Sequence, residues 1–548
     1  MIRTDLVERV RAAVQKLISA GQLPSHDYTC EVVETKSAEH GDFATNFALT
    51  ASKIAKTPPP KIGAMLAEAL EQDDAFDSVS LAGPGFVNLT LAHAYLLRYA
   101  RLAFECGEAI SQTESNIARR VLIEFVSVNP NGPIHCGHGR GAAYGDTLAR
   151  LMTASGHEVW REYYVNDGVN SQQMVLFAES VKARYREILG LPFEFPENGY
   201  KGEYIFDVAK LMRERFGDVH AESSIEFWQP KTQEMMIEAQ REDLERFGVR
   251  FDQWFSEQSL HDSGAVTRDL DLLKSRGELF EQDGAWFLRS TSYGDDKDRV
   301  VIRADGRPTY IASDIAYHKE KFDRGYDLLI DVWGADHHGY IARTSAAVQA
   351  FGYRADQFEA IITQIVRFYE NGRVVAMSKR DGTMVTLREL MNEVGTDVAR
   401  FFYLMRSHDA HMEFDLGLAK EHSDKNPVYY VQYAHARICS LLARAADAEL
   451  SADVEKLVEL SAPERALVKK IWDLPFEVQR AAADRAVHRI TTYAVELART
   501  YHDFYEKCRV IDVEQPDVSA GRLSLCVATL SCFRATFELL GISAPEKM

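Results

Sequence analysis

Apolar residues run almost unbroken through "VLIEFVSV" (121–128), as expected of a strand covered on both faces. A helical pattern follows from about Gly139, and "HEVWREYYV" (157–165) again reads as a strand. Strand, helix, strand in such short order is a βαβ unit, which predicts a parallel sheet with a right-handed crossover. Three later stretches are assigned to the same sheet. "DLLIDVWG" (327–334) is a strand running into glycine, "VVIRADGRPTYI" (300–311) holds an Asp-Gly turn, and "RFYENGRVVAMS" (367–378) an Asn-Gly turn.

Between about 172 and 290 the pattern changes to charged helices such as "GEYIFDVAKLMRERFG", which predicts an insertion into the sheet domain. From Asn426 onward nearly everything has helical period, predicting a separate all-helical domain. Residues 1–112 read as an α+β module. It has an amphipathic helix at the N-terminus, a helix over Asp42–Lys56 stopped by Pro58-Pro59-Pro60, a strand at Gly83–Leu91 and a helix through Phe104. The polar segment 107–120 reads as a linker. The expected organisation is therefore 1–112, 113–425 with its insertion, and 426–548. The expected class is α/β, with a Rossmann-like parallel-sheet domain between an α+β and an all-helical domain.

A length of 548 residues exceeds what one core supports, in keeping with several domains. No run of 18 apolar residues occurs and the N-terminus lacks a secretory pattern, so neither a membrane span nor export is expected. Seven scattered cysteines form no CxxC pair, which argues for a reducing cytoplasm and against a disulfide framework or zinc ribbon. With 63 basic and 82 acidic residues the net charge is −19. That excludes a non-specific nucleic-acid coat but not local patches.

Candidate chemistry centres on "VNPNGPIHCGHGRGAAYGD" (128–146), where strand becomes helix. A helix N-terminus at the carboxyl end of a parallel strand attracts phosphate. Gly132, Gly137, Gly139 and Gly141 leave room for a base or phosphate. No GxGxxG or GxxxxGK[ST] stands there, so the site is neither a dinucleotide fingerprint nor a P-loop. His135 and His138, one helical turn apart, could donate hydrogen bonds to a polyphosphate. The other readings are a structural pair capping the helix, or a zinc site, for which no third ligand stands nearby.

"HCGH" resembles the HIGH motif of class I aminoacyl-tRNA synthetases, and its surroundings resemble the arginyl-tRNA synthetase family. The likeness continues through "EHGDFATN" (39–46), "AGPGFVNLTL" (82–91), "YYVNDGVNSQ" (163–172), "YIASDIAYH" (310–318), "DVWGADHHGYIAR" (331–343), "MSKRDGTMVTL" (377–387) and "NPVYYVQYAHARICSL" (426–441), covering nearly the whole chain in the family's order. It implies arginine activation by ATP, with Mg2+ accompanying the ATP, and transfer of the arginyl group to the 3′ end of tRNA(Arg). His135 and His138 would then bind the ATP phosphates, with Gly137 against the adenosine. Met377, Ser378 and Lys379 would form the KMSKS-like element, Lys379 clamping pyrophosphate. The first lysine of that element is replaced by Ala376, and Gly132 occupies the place of a known compensating lysine. Arg380 and Arg140 are the candidate substitutes. For arginine itself the resemblance implies Glu124 at the ammonium, contact with Asn129, Asp314 on the guanidinium, Tyr310 packed on it, and a contact from His338, whose neighbour His337 is not distinguished from it. For tRNA it implies Phe86 and Asn88 on the elbow, and Tyr433 among the aromatics Tyr429, Tyr430 and Tyr433 of an anticodon-binding domain. Core roles stay open for Phe86 and for at least one of those tyrosines. No resident metal and no editing domain are expected, the insertion guides the tRNA end, and a monomer is the default. Three alternatives compete: another class I synthetase such as the cysteine enzyme, a short adenylyltransferase, and a non-catalytic tRNA-binding relative.

Overall fold

Alternation of buried and exposed positions builds the N-terminal sheet. β1 (Val33–Glu34), β2 (Phe43–Thr45), β3 (Phe76–Ala82) and β4 (Phe86–Leu91) pair antiparallel in the order β1-β2-β4-β3. In β4, Val87, Leu89 and Leu91 point into the core under the helices Phe47–Ala55 and Pro59–Leu70, and the helix Ile2–Ser19, packed on Pro59–Leu70, buries Leu6, Val10, Val14 and Leu17 at helical spacing. The computed structural model describes residues 1–35, 37–115, 117–168, 171–370, 372–375 and 386–548. The helix expected from Asp42 starts only at Phe47, because Phe43–Thr45 are taken into the sheet. The polar stretch after Cys106 is not a free tether, since Ile110 and Ser111 are buried.

The central domain opens with β5 (Arg120–Phe125), the helix Cys136–Ala154 and β6 (Glu158–Val165), the expected βαβ unit. β7 (Gln253–Ser256) then pairs parallel with β6, so the expected insertion at 172–290 is interrupted by a strand of the main sheet. Next come β8 (Leu279–Gln282), β9 (Ala285–Leu288), β10 (Arg299–Ile302), β11 (Leu328–Gly334), β12 (Phe358–Thr363), β13 (Val366–Glu370), β14 (Arg373–Val374) and β15 (Met412–Asp415). The five-stranded parallel sheet has the order β12-β11-β5-β6-β7. Chain order reverses beside β5, which opens a crevice at the carboxyl ends of β5 and β11. The two hairpin stretches do not join this sheet. Antiparallel pairing puts 299–302 with β9 and 366–370 with β14, in separate three-stranded sheets β10-β9-β8 and β14-β13-β15.

The C-terminal part is helical, built on Pro427–Asp447, Ala462–Ala483, His488–Lys507 and Pro516–Leu540. Asn426 caps the first of these, its side chain accepting from the Val428 N–H at 3.0 Å. By length and composition alone the helix Pro516–Leu540 could cross a bilayer. Here 78% of its most apolar stretch is buried inside the protein, as the core helix of the bundle.

Candidate active site

β5 ends where its backbone changes hand. Val126 has φ 73° and Ser127 φ 44°, so the strand stops at Phe125 although the apolar run continues to Val128. Left-handed geometry is costly for a β-branched residue, and here it sits at the mouth of the crevice. The turn aims the Ser127 hydroxyl back at Glu124, donating to Oε1 at 2.8 Å while accepting from the Tyr164 N–H at 3.1 Å. Asn129 follows, donating to Gln173 at 3.1 Å and accepting from Asn166 at 3.0 Å. Gln240 holds the loop through the carbonyls of Asn129 and Gly132, at 3.1 and 2.7 Å.

His135 caps the helix Cys136–Ala154, its Nδ1 accepting from the Gly137 N–H at 2.9 Å. An accepting Nδ1 leaves the ring proton on Nε2. The His135 and His138 rings lie 6.1 Å apart and His138 lines the main cavity. The glycines divide by role. A Cβ at Gly137 would stand 3.0 Å from His135 Nδ1, whereas at Gly139 it would meet the Tyr403 ring at 2.7 Å and at Gly145 the Phe125 ring at 2.3 Å. Gly139 therefore serves helix packing, not ligand access. Arg140 is buried and donates to the carbonyls of Gln364, Ala410 and Ser407 at 2.8, 2.8 and 2.6 Å. Its guanidinium is spent on the protein, which removes it as a substitute for the missing lysine.

The crevice forms a cavity of about 740 Å³ with Glu124, Asn129, His138, Tyr310, Asp314 and His337 in its wall. Tyr310 and Asp314 stand one turn apart at the start of the helix Tyr310–Asp323, with Tyr310 at the rim and 76% exposed. His338 is exposed and does not reach the wall. Beneath lies a buried polar cluster. Lys321, wholly inaccessible, donates to Glu124 at 2.6 Å and to Asp331 at 2.9 Å, and His318 Nε2 lies 2.8 Å from Asp331. Glu124 thus has an internal ion pair and still borders the cavity. Burial opposes the Lys321 charge, yet Asp331 and Glu124 keep it protonated.

Among the wall residues with no counterpart in the sequence-based expectations is an acid, Glu257, which follows directly on β7. Burial lifts its carboxyl to about 7, with Asp314 and Asp167 adding to the rise. Burial likewise lifts Asp314 to about 6, with Glu124 and Asp331 adding and His318 opposing. Carboxyls held this way strongly favour an incoming cation, and a planar guanidinium can address two of them at once. The crevice thus sets the start of the helix Cys136–Ala154, with His135 and His138, beside a wall of carboxyls that suits a cation. Among the described residues no group of three or more His, Cys, Asp or Glu is arranged to hold a metal.

The description "tRNA synthetases class I (R), catalytic domain" matches residues 106–401, more than half of the chain. The chain belongs to the arginyl-tRNA synthetase family. Family models for an "Arginyl tRNA synthetase N terminal domain" and a "DALR anticodon binding domain" match residues 4–91 and 431–548. The arginine–tRNA ligase of Carboxydothermus hydrogenoformans is 44% identical over 551 aligned positions, covering 98% of this chain and 97% of its own. That of Bacillus subtilis is also 44% identical, covering 99% and 98%. The solved arginyl-tRNA synthetase of Thermus thermophilus superposes with a TM-score of 0.75 over the full length of both chains, a likeness of fold at 23% identity. The enzyme is an arginine–tRNA ligase of class I.

Two surfaces of this synthetase are exposed and aromatic. Phe86 and Asn88 lie on the outward face of β4, with Phe86 36% exposed, so Phe86 is not core. On the helical domain Tyr433 is 41% exposed and stacks with Tyr429 and His502, while Arg437 lies over the rings of Tyr433 and Tyr505 at 5.8 and 4.3 Å. Tyr430 packs against the core, the expected fate of one of the three tyrosines. Met377, Ser378 and Lys379, with Ala376 and Arg380, lie outside the described residues. At the next described residues, Thr386 bridges to His135 and the Leu387 N–H donates to the Ile134 carbonyl at 2.8 Å.

Proposed function

We propose that the cavity binds arginine with its guanidinium between Asp314 and Glu257 and its ammonium at Glu124 and Asn129, Tyr310 covering the side chain. His337, which lines the same wall, completes the pocket. The arginine carboxylate then faces His138, where the α-phosphate of ATP lies across the helix start. Attack on that phosphorus forms arginyl-adenylate and expels pyrophosphate. A hydroxyl of the terminal tRNA ribose next attacks the carbonyl carbon, and AMP leaves. His135 and His138 donate to phosphoryl oxygens as charge develops, with no covalent enzyme intermediate. Gly137 leaves space for the adenosine, and Met377, Ser378 and Lys379 hold the phosphates from the other side. Mg2+ accompanies ATP and neutralises its outer phosphates. Phe86, Asn88 and Tyr433 contact tRNA(Arg), a base stacking on each ring. The enzyme acts as a cytoplasmic monomer.

The observation that carries this reading is the shared wall of Asp314 and Glu257 in a cavity that His138 also lines. Lysine and ornithine offer a compact ammonium without the planar fork of donors that a guanidinium presents, so they leave part of this wall's acceptors unpaired and selection needs no hydrolytic domain. Arginine-dependent pyrophosphate exchange, run with and without tRNA(Arg), tests it. Exchange supported equally by lysine, or none with any amino acid in the presence of tRNA, would overturn it.

A further inference from the structure

On the helix Ala462–Ala483, positions 465, 469, 472, 473 and 476 share one face, and that face meets the N-terminal module. Lys469 Nζ lies 2.8 Å from Asp42 Oδ1. Arg465 reaches Asp42 Oδ2 at 3.3 Å and the Leu91 carbonyl at 2.9 Å. The Trp472 indole N–H donates to the Tyr99 carbonyl at 2.8 Å, Asp473 pairs with Arg3 at 2.9 Å, and the Arg3 guanidinium lies 4.6 Å over the Phe476 ring. The Asp42 and Lys469 side chains are 13% and 16% exposed, well shielded for an ion pair between modules.

Asp42 also binds its own module: Oδ2 accepts from the Leu91 N–H at 2.9 Å. Leu91 closes β4, so both backbone groups of that residue are gripped, one by Asp42 and one by Arg465. Phe86 and Asn88 stand upstream on the same strand, Phe86 about 16 Å from the gripped end at strand rise. Ala44, two residues past Asp42, pairs with Asn88 across β2 and β4. The aspartate of the "EHGDFATN" stretch is thereby rigidly connected to the outward pair Phe86–Asn88.

We propose that Asp42 is a positioning residue for tRNA. Through Lys469 and Arg465 it holds the Phe86–Asn88 edge at a set distance from the Tyr433 strip of the helical domain, so that one tRNA meets both surfaces as a pre-spaced pair. This rests on the assignment of those surfaces to tRNA made above. Two contacts held at the correct spacing bind more tightly than the same contacts on a loose joint, because the ordering cost is met before binding.

The test is steady-state aminoacylation by the full-length enzyme with Lys469→Met, Lys469→Arg, Asp42→Asn, the Asp42→Asn/Lys469→Met double variant and Phe86→Ala. Lys469 belongs to the helical domain and meets the N-terminal module through its ion pairs with Asp42 and, at 4.0 Å, Glu34, so its variants probe the latch while leaving the N-terminal module's own residues unchanged. Lys469→Met and Asp42→Asn each raise the KM for tRNA about fivefold, the low end of inter-site coupling, with kcat and the KM for ATP and arginine unchanged. Lys469→Arg stays near the parent, and the double variant is no worse than either single. Phe86→Ala raises the tRNA KM. A rise with Phe86→Ala but none with Lys469→Met or Asp42→Asn overturns the latch. So does a loss of kcat and thermal stability with no change in KM. A silent Phe86→Ala instead removes the assignment of the strand to tRNA, and the latch falls with it.

Discussion

The Glu257 carboxyl sits beside that of Asp314 in one cavity wall, and the pair titrates where most carboxylates have long since ionised, at about 7 and about 6. On the arginine-binding role proposed above for this wall, the ligand binds the ionised forms and displaces protons whenever the pH lies near these values. In the free enzyme the raised values mean that the fold binds more protons than the unfolded chain. The stability owed to these two groups therefore falls as pH climbs from the usual carboxylate range through about 7, and bound arginine reverses that loss. Arginine should raise the melting temperature more at about pH 8 than at about pH 6, and calorimetry near pH 6.5 should register proton release on binding. Equal arginine-induced shifts at both pH values would contradict the assignment.

His138 and His135 should separate in their effects. Replacing His138 by Ala lowers pyrophosphate exchange by roughly 10²–10³-fold, the usual loss for one preorganised donor, with tRNA binding and melting temperature nearly unaltered. Replacing His135 by Ala also removes the helix cap and costs about 1 kcal/mol. His135→Asn restores an acceptor for the Gly137 N–H, and so recovers stability but not exchange. Thermal melts beside exchange rates decide it.

Lys321 is predicted to be structural and unforgiving. Lys321→Met leaves Glu124 and Asp331 buried without their shared cation, a loss of about 3–5 kcal/mol. Calorimetry of the unmodified and substituted enzymes checks this. A Lys321→Met enzyme of parental stability would mean that water, not the lysine, compensates those acids.

The glycines give the sharpest packing test. Gly145→Ala drives a methyl into the Phe125 ring and should destabilise by about 1–3 kcal/mol. At Gly141 the nearest atom is 3.9 Å away, so Gly141→Ala should leave stability unchanged or raise it by up to about 1 kcal/mol, the helix-propensity difference. Paired melting curves distinguish the two positions.

Strong local patterns in the amino-acid sequence make half of the site legible. The strand carrying Glu124, His138 of the histidine pair, and Tyr310 and Asp314 at one-turn spacing all reach the cavity, while His135 caps the helix start beside it. Glu257 stays hidden because β7 is a four-residue edge strand inside a charged stretch, too short for its period to show. Its only signal is "QWFS" just before the acid, a strand end of the kind that carries ligand contacts. The end of β5 is easily misplaced because nothing about valine announces a left-handed backbone. The two hairpins point to the wrong sheet, since turn residues fix a local reversal and not the partner strand. Arg140 looks free for phosphate because sequence cannot reveal three carbonyls that converge on it from 364, 407 and 410.

The order β12-β11-β5-β6-β7 also bears on how the protein comes into being. β5 is completed at residue 125, but its second neighbour begins only at residue 328. At ordinary elongation speeds the ribosome needs roughly 10–40 s to cover that span. For all of that time the nascent sheet shows an apolar, unpaired edge. Fragments that stop short of β11 should aggregate in the absence of a chaperone, and any stall within that window turns a slow birth into a lost molecule.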